Sequence, residues 1–452
     1  MKRLDSEFYK KLFALVVPIA FQNFMLAAVS ASDAIMLGFL NQDFLSAVSL
    51  AGQIQFMHSL FLAALVIGTT MLVAQYWGKE NILAIEKIFA NVIKISVIIS
   101  MVFCFLAIVA SNILMRIFTS DPGLIKMGAE YLKVVGISYL LIGISQIYLC
   151  MLKNSGQAFR STLISSVAVL LNIALNAVFI FGLIGMPRLG ITGAALATVI
   201  ARGVELLWAV AELHKQKKIR FKWGYLMKPD YVLNKDYWKY MFPVLGNEVA
   251  WGGGFTMYSA IMGHLGSDAV AANSIANIVK NLIVCVSLGI GSAGSILVGN
   301  ELGKGLSKKA KEYGDRLGKL SLICGILSGL LLLAISPAIL KYSALSHEAN
   351  EYLSTMLIIC SCYLVGKSVN STLIGGIFCA GGDSRFGLIC DAITMWIIVI
   401  PSGSIAAFYM KAPVIMVYFI LNLDELIKLP AVYKHYKQYK WVKDITRDIE
   451  ER

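Results

Sequence analysis

The chain has 452 residues, of which 58% are hydrophobic and only 15% charged, against roughly 45–50% and about 25% in soluble globular domains. That balance excludes an ordinary soluble enzyme or binding module. The formal net charge of +13 raises nucleic acid as a partner. Most of the Lys and Arg, however, sit at the termini and in alternate loops between apolar runs, so nucleic acid is set aside.

In chain order, twelve apolar runs are long enough to cross a hydrocarbon core of ~30 Å at 1.5 Å per residue. The first six cover residues 10–39, 44–77, 86–114, 123–152, 160–185 and 190–213. A polar, basic and aromatic stretch comes next at 214–239, suited to cytoplasmic headgroups or to a plain topology anchor. The second six cover 240–263, 269–300, 312–340, 348–379, 386–410 and 413–433, and a charged tail closes the chain at 434–452. The tail is expected to be a short interfacial or solvated helix, with Trp441 at headgroup level. The first run is too long for a signal h-region and lacks a small-residue cleavage site, so it is read as retained. The alternation of basic loops puts both termini and the central stretch in the cytoplasm.

The first run, with the residues after it as far as Lys79, recurs at a constant offset of 225. Pro18 is matched by Pro243, Gly38 by Gly263, Leu40 by Leu265, Asp43 by Asp268, and Gly78-Lys79 by Gly303-Lys304. The domains expected are therefore an amino-terminal bundle (1–213), a linker (214–239), a carboxy-terminal bundle (240–433) and the tail (434–452). The fold class is an all-α polytopic membrane protein with 12 transmembrane helices in two pseudo-symmetric six-helix bundles. Parallel six-span copies indicate a transporter with its substrate path between them.

Polar groups inside the runs are the candidates for function. An Asp at a helix centre costs about 2.5–3.5 kcal/mol on insertion scales, so Asp33 must face protein or a wet cavity, where it takes a proton, binds Na+ or pairs with a cationic substrate. Asn172 and Asn176 lie one turn apart, and their amide oxygens suit Na+; Thr198 adds a hydroxyl. The alternative for these amides is interhelical bonding without a ligand. Glu248 and Lys367, both in apolar runs, are expected to pair with each other or line a carboxy-half cavity, and Lys280 lies in the eighth run near that cavity. Arg202 and Glu205 are expected to satisfy each other, and Asp424, Glu425 and Lys428 to form a local cluster. Gly252-Gly253-Gly254 is expected to permit close helix packing. The eight cysteines read as buried small hydrophobes, and no metal site is expected beyond Na+ at Asp33, Asn172 and Asn176.

Several stretches carry a resemblance. They are Pro18, Asp33 and Gly38 in the first run, VAQYWGK at 73–79, LLNIALNAVFIFGLIGMPRLGITGAALATVIAR at 170–202, GHLGSDAVAANSIAN at 263–277, LVGNELGKG at 297–305 and GGIFCAGGDSRFG at 375–387. Together they resemble the multidrug and toxic compound extrusion (MATE) family of cation-coupled exporters over nearly the whole length. PVLGNEVAWGGGF at 243–255, Trp396 with Pro401, and NLDELIK at 422–428 look like a bacterial subgroup. The resemblance implies a V-shaped pair of bundles that alternate between inward- and outward-facing states. It also implies exchange of amphipathic, often cationic organic compounds for Na+ or H+, with no cofactor.

Asn172 and Thr198 match the amino-half cation site of DinF-like members, a branch that often carries an acid where this chain has Asn176. NorM-like members bind the coupling ion through acids in the seventh and tenth helices. Glu248 fits the first of these roles, whereas Lys367 stands where the second acid is sought. The reading is a monomeric antiporter of a bacterial plasma membrane, with small organic substrates and membrane lipids as partners. A lipid-linked oligosaccharide flippase, a major-facilitator transporter and a receptor without transport are the competitors. Asp315-Arg316 mimics part of the major-facilitator loop signature, but the equivalent first-half loop lacks the pair. No His-Glu-x-x-His, Gly-x-Ser-x-Gly or Walker pattern supports an enzyme.

Overall fold

The computed structural model describes residues 2–38, 42–227, 230–343 and 345–448, all helix, turn or coil, with no strand among them. The amino-terminal part consists of α1 (Lys2–Gly38), α2 (Gln42–Gly78), α3 (Ile82–Val109), α4 (Ser111–Phe118), α5 (Pro122–Asn154), α6 (Ala158–Phe181), α7 (Gly190–Gln216) and the short α8 (Trp223–Met227). The remainder is α9 (Tyr231–Gly263), α10 (Ser267–Gly303), α11 (Ser307–Tyr342), α12 (His347–Asn370), α13 (Ser384–Asp391), α14 (Ile400–Ser404), α15 (Val414–Leu421) and α16 (Asp424–Lys437). Local chemistry sets several starts. The Asn81 side chain accepts from Ala84 N–H at 3.0 Å, and Asp121 accepts from Gly123 N–H at 2.7 Å just ahead of a proline at the first helical position. Ser346 accepts from Ala349 N–H at 3.1 Å.

Ten of the described helical stretches are long and apolar enough to cross a membrane. Of the twelve expected runs, α9 falls short because Asn247, Glu248 and three glycines dilute it. The last falls short because it breaks at Asn422 and Leu423 into α15 and α16. The third also differs, breaking at Ala110 between α3 and α4. Three π-helical segments, Ser371–Phe378, Ala392–Val399 and Ile405–Tyr409, lie within the tenth and eleventh runs. Such segments are rare and recur at functional sites.

The chain forms two compact units. One is chiefly Gln22–Thr69 with Glu80–Trp238. Its core joins Ala47, Ala51, Leu132, Val135, Tyr139, Ile180 and Ala195. The expected linker is short here, since α7 runs on to Gln216 and α9 starts at Tyr231. It is tied to α3, where Glu86 accepts from Arg220 N–H at 2.9 Å and pairs with Lys222 at 2.8 Å. Lys87 pairs with Asp230 at 3.2 Å.

The other unit gathers residues up to Phe21, Thr70–Lys79 and Lys239–Arg447, so it cuts across the linear halves in α1 and α2. Its core includes Ala272, Val284, Leu357, Cys360, Leu364, Tyr418 and Leu421. Within this unit the last turns of α2 cross α10 at close range. A Cβ on Gly299 would lie 2.8 Å from the Ala74 Cβ; one on Gly303 would lie 1.9 Å from the Gln75 carbonyl oxygen, and one on Gly78 would lie 2.1 Å from that of Asn300. Ala74 and Gly299 are equivalent under the 225-residue offset, as are Gln75 and Asn300, and Gly78 and Gly303. The contact therefore maps onto itself, as an isologous pairing does, and only small residues let the backbones meet.

The tail corrects the sequence expectation. Trp441 is fully buried, stacked on Tyr436 with ring centroids 5.7 Å apart, and its indole N–H donates to the Tyr436 carbonyl at 3.2 Å. The extended segment beyond it is held by Gln75, whose Nε2 donates to the carbonyls of Ala380 at 2.7 Å and Lys443 at 3.0 Å. The Gln75 Oε1 accepts from Ile445 N–H at 2.9 Å. A large ring that finds a protein slot, and a backbone that finds partners, take Trp441 out of the expected headgroup role.

Candidate cation and substrate sites

In the amino-terminal unit, α6 and α7 bring three of the four expected coupling residues together. The Asn176 amide donates to Asn172 Oδ1 at 3.3 Å, and the Asn172 amide donates to Thr198 Oγ1 at 3.2 Å. Thr198 in turn donates to the Ala194 carbonyl at 3.0 Å. Both asparagines are buried, one turn apart on α6, so the ladder follows from helix periodicity. Asp33 belongs to α1, but its side chain lies outside the described residues. A contact that the sequence did not suggest fixes α1 to α6: Gln22 Nε2 donates to Ser165 Oγ at 2.7 Å, both groups buried. Arg202 and Glu205 pair at 2.8 Å as expected, and Ser145 adds a donor to Glu205 at 2.7 Å.

The carboxy-terminal unit is built differently. Lys367 pairs with Glu425 at 3.1 Å and forms no ion pair with Glu248. The expected direct Glu248–Lys367 ion pair is therefore not formed, although the two groups lie within electrostatic reach of each other. The physical reason is position: Glu425 lies in the first turn of α16, where the helix dipole favours its charge, and α16 packs against α12 beside Lys367. Lys428 lies at the centre, 2.7 Å from Asp391, 3.3 Å from Glu425 and 3.9 Å from Asp424. The expected Asp424–Glu425–Lys428 cluster is present, at spacings that place all three on one face.

Asn370 Nδ2 donates to both the side chain and the backbone carbonyl of Glu425, each at 2.7 Å. Asn247 donates to Asp391 at 2.7 Å. Asn370 and Asp391 immediately precede the first two π-helical segments, so the network grips α12 and α13 where their helical hydrogen bonding changes register. Glu248 is partly buried and lies within electrostatic reach of Lys367 and Asp391. Lys280 of α10 is buried, with Asn422 Oδ1 at 3.5 Å and the Tyr363 ring at 4.5 Å.

Sequence reasoning missed Asp391, Asn370, Asn247 and Gln75. Asp391 had a usable signal, since it is a carboxylate inside an apolar run like Asp33. Among the described residues no group of three or more His, Cys, Asp or Glu is placed to hold a metal ion, and the eight cysteines form no disulfide with one another. Gly254 packs tightly as expected, since a Cβ there would lie 2.4 Å from the Met395 methyl.

An all-helical chain of repeated apolar spans with buried polar sites defines a multi-pass membrane protein. Similarity to known proteins gives its family. The MatE family model matches residues 18–178 and again residues 245–405, one match in each repeat, and the chain belongs to the MatE family. It is a transporter family, and the protein is not an enzyme. The "Probable multidrug resistance protein NorM" of Thermotoga maritima is 23% identical over 97% of this chain and 94% of that relative. The "Uncharacterized transporter YisQ" of Bacillus subtilis is 21% identical over 98% and 96%. Among solved structures, a mutant of the Vibrio cholerae MATE transporter VcmN has a TM-score of 0.88 at 18% identity, covering 97% of this chain and 98% of that one. A MOP superfamily transporter from Pyrococcus furiosus has a TM-score of 0.86 at 18% identity, with 95% of each chain covered. The fold is therefore of the MATE type.

Proposed function

We propose that this protein is a secondary antiporter of a bacterial plasma membrane, with both termini cytoplasmic, exporting amphipathic organic compounds in exchange for Na+ or H+. Full-length similarity to relatives named as multidrug resistance proteins supports the substrate class. The observation that carries the coupling reading is the buried Asn176–Asn172–Thr198 ladder in the unit that also holds the α1 segment bearing Asp33. Amide and hydroxyl oxygens beside one carboxylate suit Na+, and the carboxylate alone suits a proton. A bound cation shifts an alternating-access equilibrium only by its differential affinity for the two states. Re-pairing of this uncharged ladder on occupancy supplies such a difference. Glu248, Lys280 and Lys367 belong to the substrate-facing side of the carboxy-terminal half in this reading. The transporter works as a monomer within its lipid surroundings.

The test is dye efflux from proteoliposomes with Na+ and H+ gradients imposed separately. Wild type should respond to one gradient, and Asp33→Asn should lose that response while purifying at wild-type yield. Gradient-driven efflux by Asp33→Asn equal to wild type would overturn the coupling assignment.

A further inference from the structure

The tail beyond α16 ties the two sequence repeats together. Every contact involved lies in one compact unit, which combines Thr70–Lys79 with Lys239–Arg447. On the second-repeat side the tail is seated by its rings and by glycines. The Tyr436 hydroxyl donates to Asp315 Oδ1 of α11 at 2.7 Å, and Trp441 is fully buried beside it. A Cβ on Gly314 would lie 2.9 Å from the Trp441 ring, and one on Gly381 would collide with the Trp441 carbonyl oxygen. Gly382 has a φ of +77°, and a Cβ there would lie 2.8 Å from Ile445 Cγ2. The Gly381-Gly382 turn, between the tenth and eleventh runs, is therefore the bed on which the tail lies.

On its other side the tail meets α2, which belongs to the first repeat. The backbone of alternate residues bonds two consecutive α2 side chains. Gln75 takes the Lys443 carbonyl and the Ile445 N–H at 3.0 and 2.9 Å, and the Tyr76 hydroxyl accepts from Arg447 N–H at 3.1 Å. Both side chains are buried. Gln75 also donates to the Ala380 carbonyl, so one amide holds the tail and the glycine turn together. These residues lie in the stretch where α2 crosses α10 through Ala74 and Gly299 and through Gly78 and Gly303. The tie is one-sided. Asn300, the equivalent of Gln75, has a buried Oδ1 with no hydrogen-bond partner. The segment that follows the first repeat is bonded to α3 of its own repeat, through Glu86.

Where a substrate path runs between parallel repeats, opening one face parts the elements that meet about the pseudo-twofold axis. Parting α2 from α10 with the tail still seated would strip Gln75 and Tyr76 of buried partners, which leaves polar groups unsatisfied. We propose that residues 438–447 form a clasp that keeps the α2–α10 crossing closed and must leave α2 before the crossing opens. Trp441 and the glycine turn anchor the clasp to the second repeat, and Gln75 and Tyr76 are its catch on the first. The inference rests on the transporter reading for the path that the crossing closes, but the clasp can be tested without transport.

The experiment is hydrogen exchange of the purified full-length protein, read by mass spectrometry on peptides covering the ends of α2 and α10 and the tail. Trp441→Ala and Gln75→Ala should each raise exchange about tenfold at the ends of both helices, the scale of one to two net hydrogen bonds. The α10 end is the informative one, because the tail's bonds go to α2 and the glycine turn. The double variant should exchange no faster there than the faster single variant, since both substitutions undo one tie. A rise confined to α2 and the tail, or no rise, overturns the clasp. In the wild type the tail must leave first, so relative to intrinsic rates its amides should be no better protected than those of the crossing. A better-protected tail overturns the clasp even if neither variant folds. Gradient-driven dye uptake into proteoliposomes by the wild type keeps the two readings apart. Driven uptake with α10 unmoved in the variants defeats the clasp alone; faster exchange at α10 without driven uptake defeats the transporter reading alone.

Discussion

The interiors of the two units solve the same problem by opposite means. In the amino-terminal unit the described core of the site is an uncharged ladder of Asn176, Asn172 and Thr198. In the carboxy-terminal unit it is an ionic lattice around Lys428, reaching Asp391, Asp424 and Glu425. Side-chain hydrogen bonds between helices in membranes average only about 0.6 kcal/mol, so the Asn172–Thr198 bond across α6 and α7, with the Asn176–Asn172 bond within α6, re-pairs at little cost. Removing one member of a buried ion pair costs about 3–5 kcal/mol, so the lattice resists rearrangement. The ladder is thus the cheaper of the two to rearrange, and the π-helical segments next to Asn370 and Asp391 are held by the lattice.

The comparison breaks most sharply at Lys428. Lys428→Met leaves three buried acids without their central cation and should lower stability by about 3–5 kcal/mol, read as a large drop in melting temperature of the detergent-purified protein. A variant as stable as wild type would mean that the lattice is hydrated rather than structural. The same measurement on Asn176→Ala should show a loss nearer ~1 kcal/mol, since only amide bonds go. Its larger effect belongs in transport: with Na+ as the coupling ion, half-maximal efflux should require more Na+. An unchanged Na+ dependence assigns coupling to the proton.

The smallest effect tests the edge of the amino-terminal unit, at Asp230 where the linker enters α9. Burial alone would raise this carboxyl. The Leu233 N–H, the Lys87 ammonium and the Val232 N–H outweigh it and hold the group below the usual carboxylate range. A depressed folded value means that its stabilisation is fully present near neutral pH and is lost as pH falls through that value. Protection of the amides at the start of α9 against exchange, relative to the intrinsic rate at each pH, should therefore fall on acidification below about pH 4. In Asp230→Asn it should be low already at neutral pH. Equal exchange in the two proteins at about pH 7 would remove Lys87–Asp230 as a tether.

The sequence by itself determined the helical membrane fold, because apolar runs of spanning length admit no other backbone solution in hydrocarbon. It also determined the duplication, through residues such as Pro18 and Pro243 at a constant offset. Short-range pairs were legible for the same reason: Asn172 with Asn176, Arg202 with Glu205 and Asp424 with Lys428 follow from helix periodicity alone. Contacts between distant elements were not. That Lys367 meets Glu425 rather than Glu248 depends on where the last span breaks, at Asn422, and on how α12 and α16 pack. Trp441 looked like a headgroup anchor because composition cannot distinguish an interface from a slot formed by Tyr436 and Gly314. A side chain's period is local information, whereas its partner across 58 residues, as for Lys367 and Glu425, is chosen only when the helices have packed.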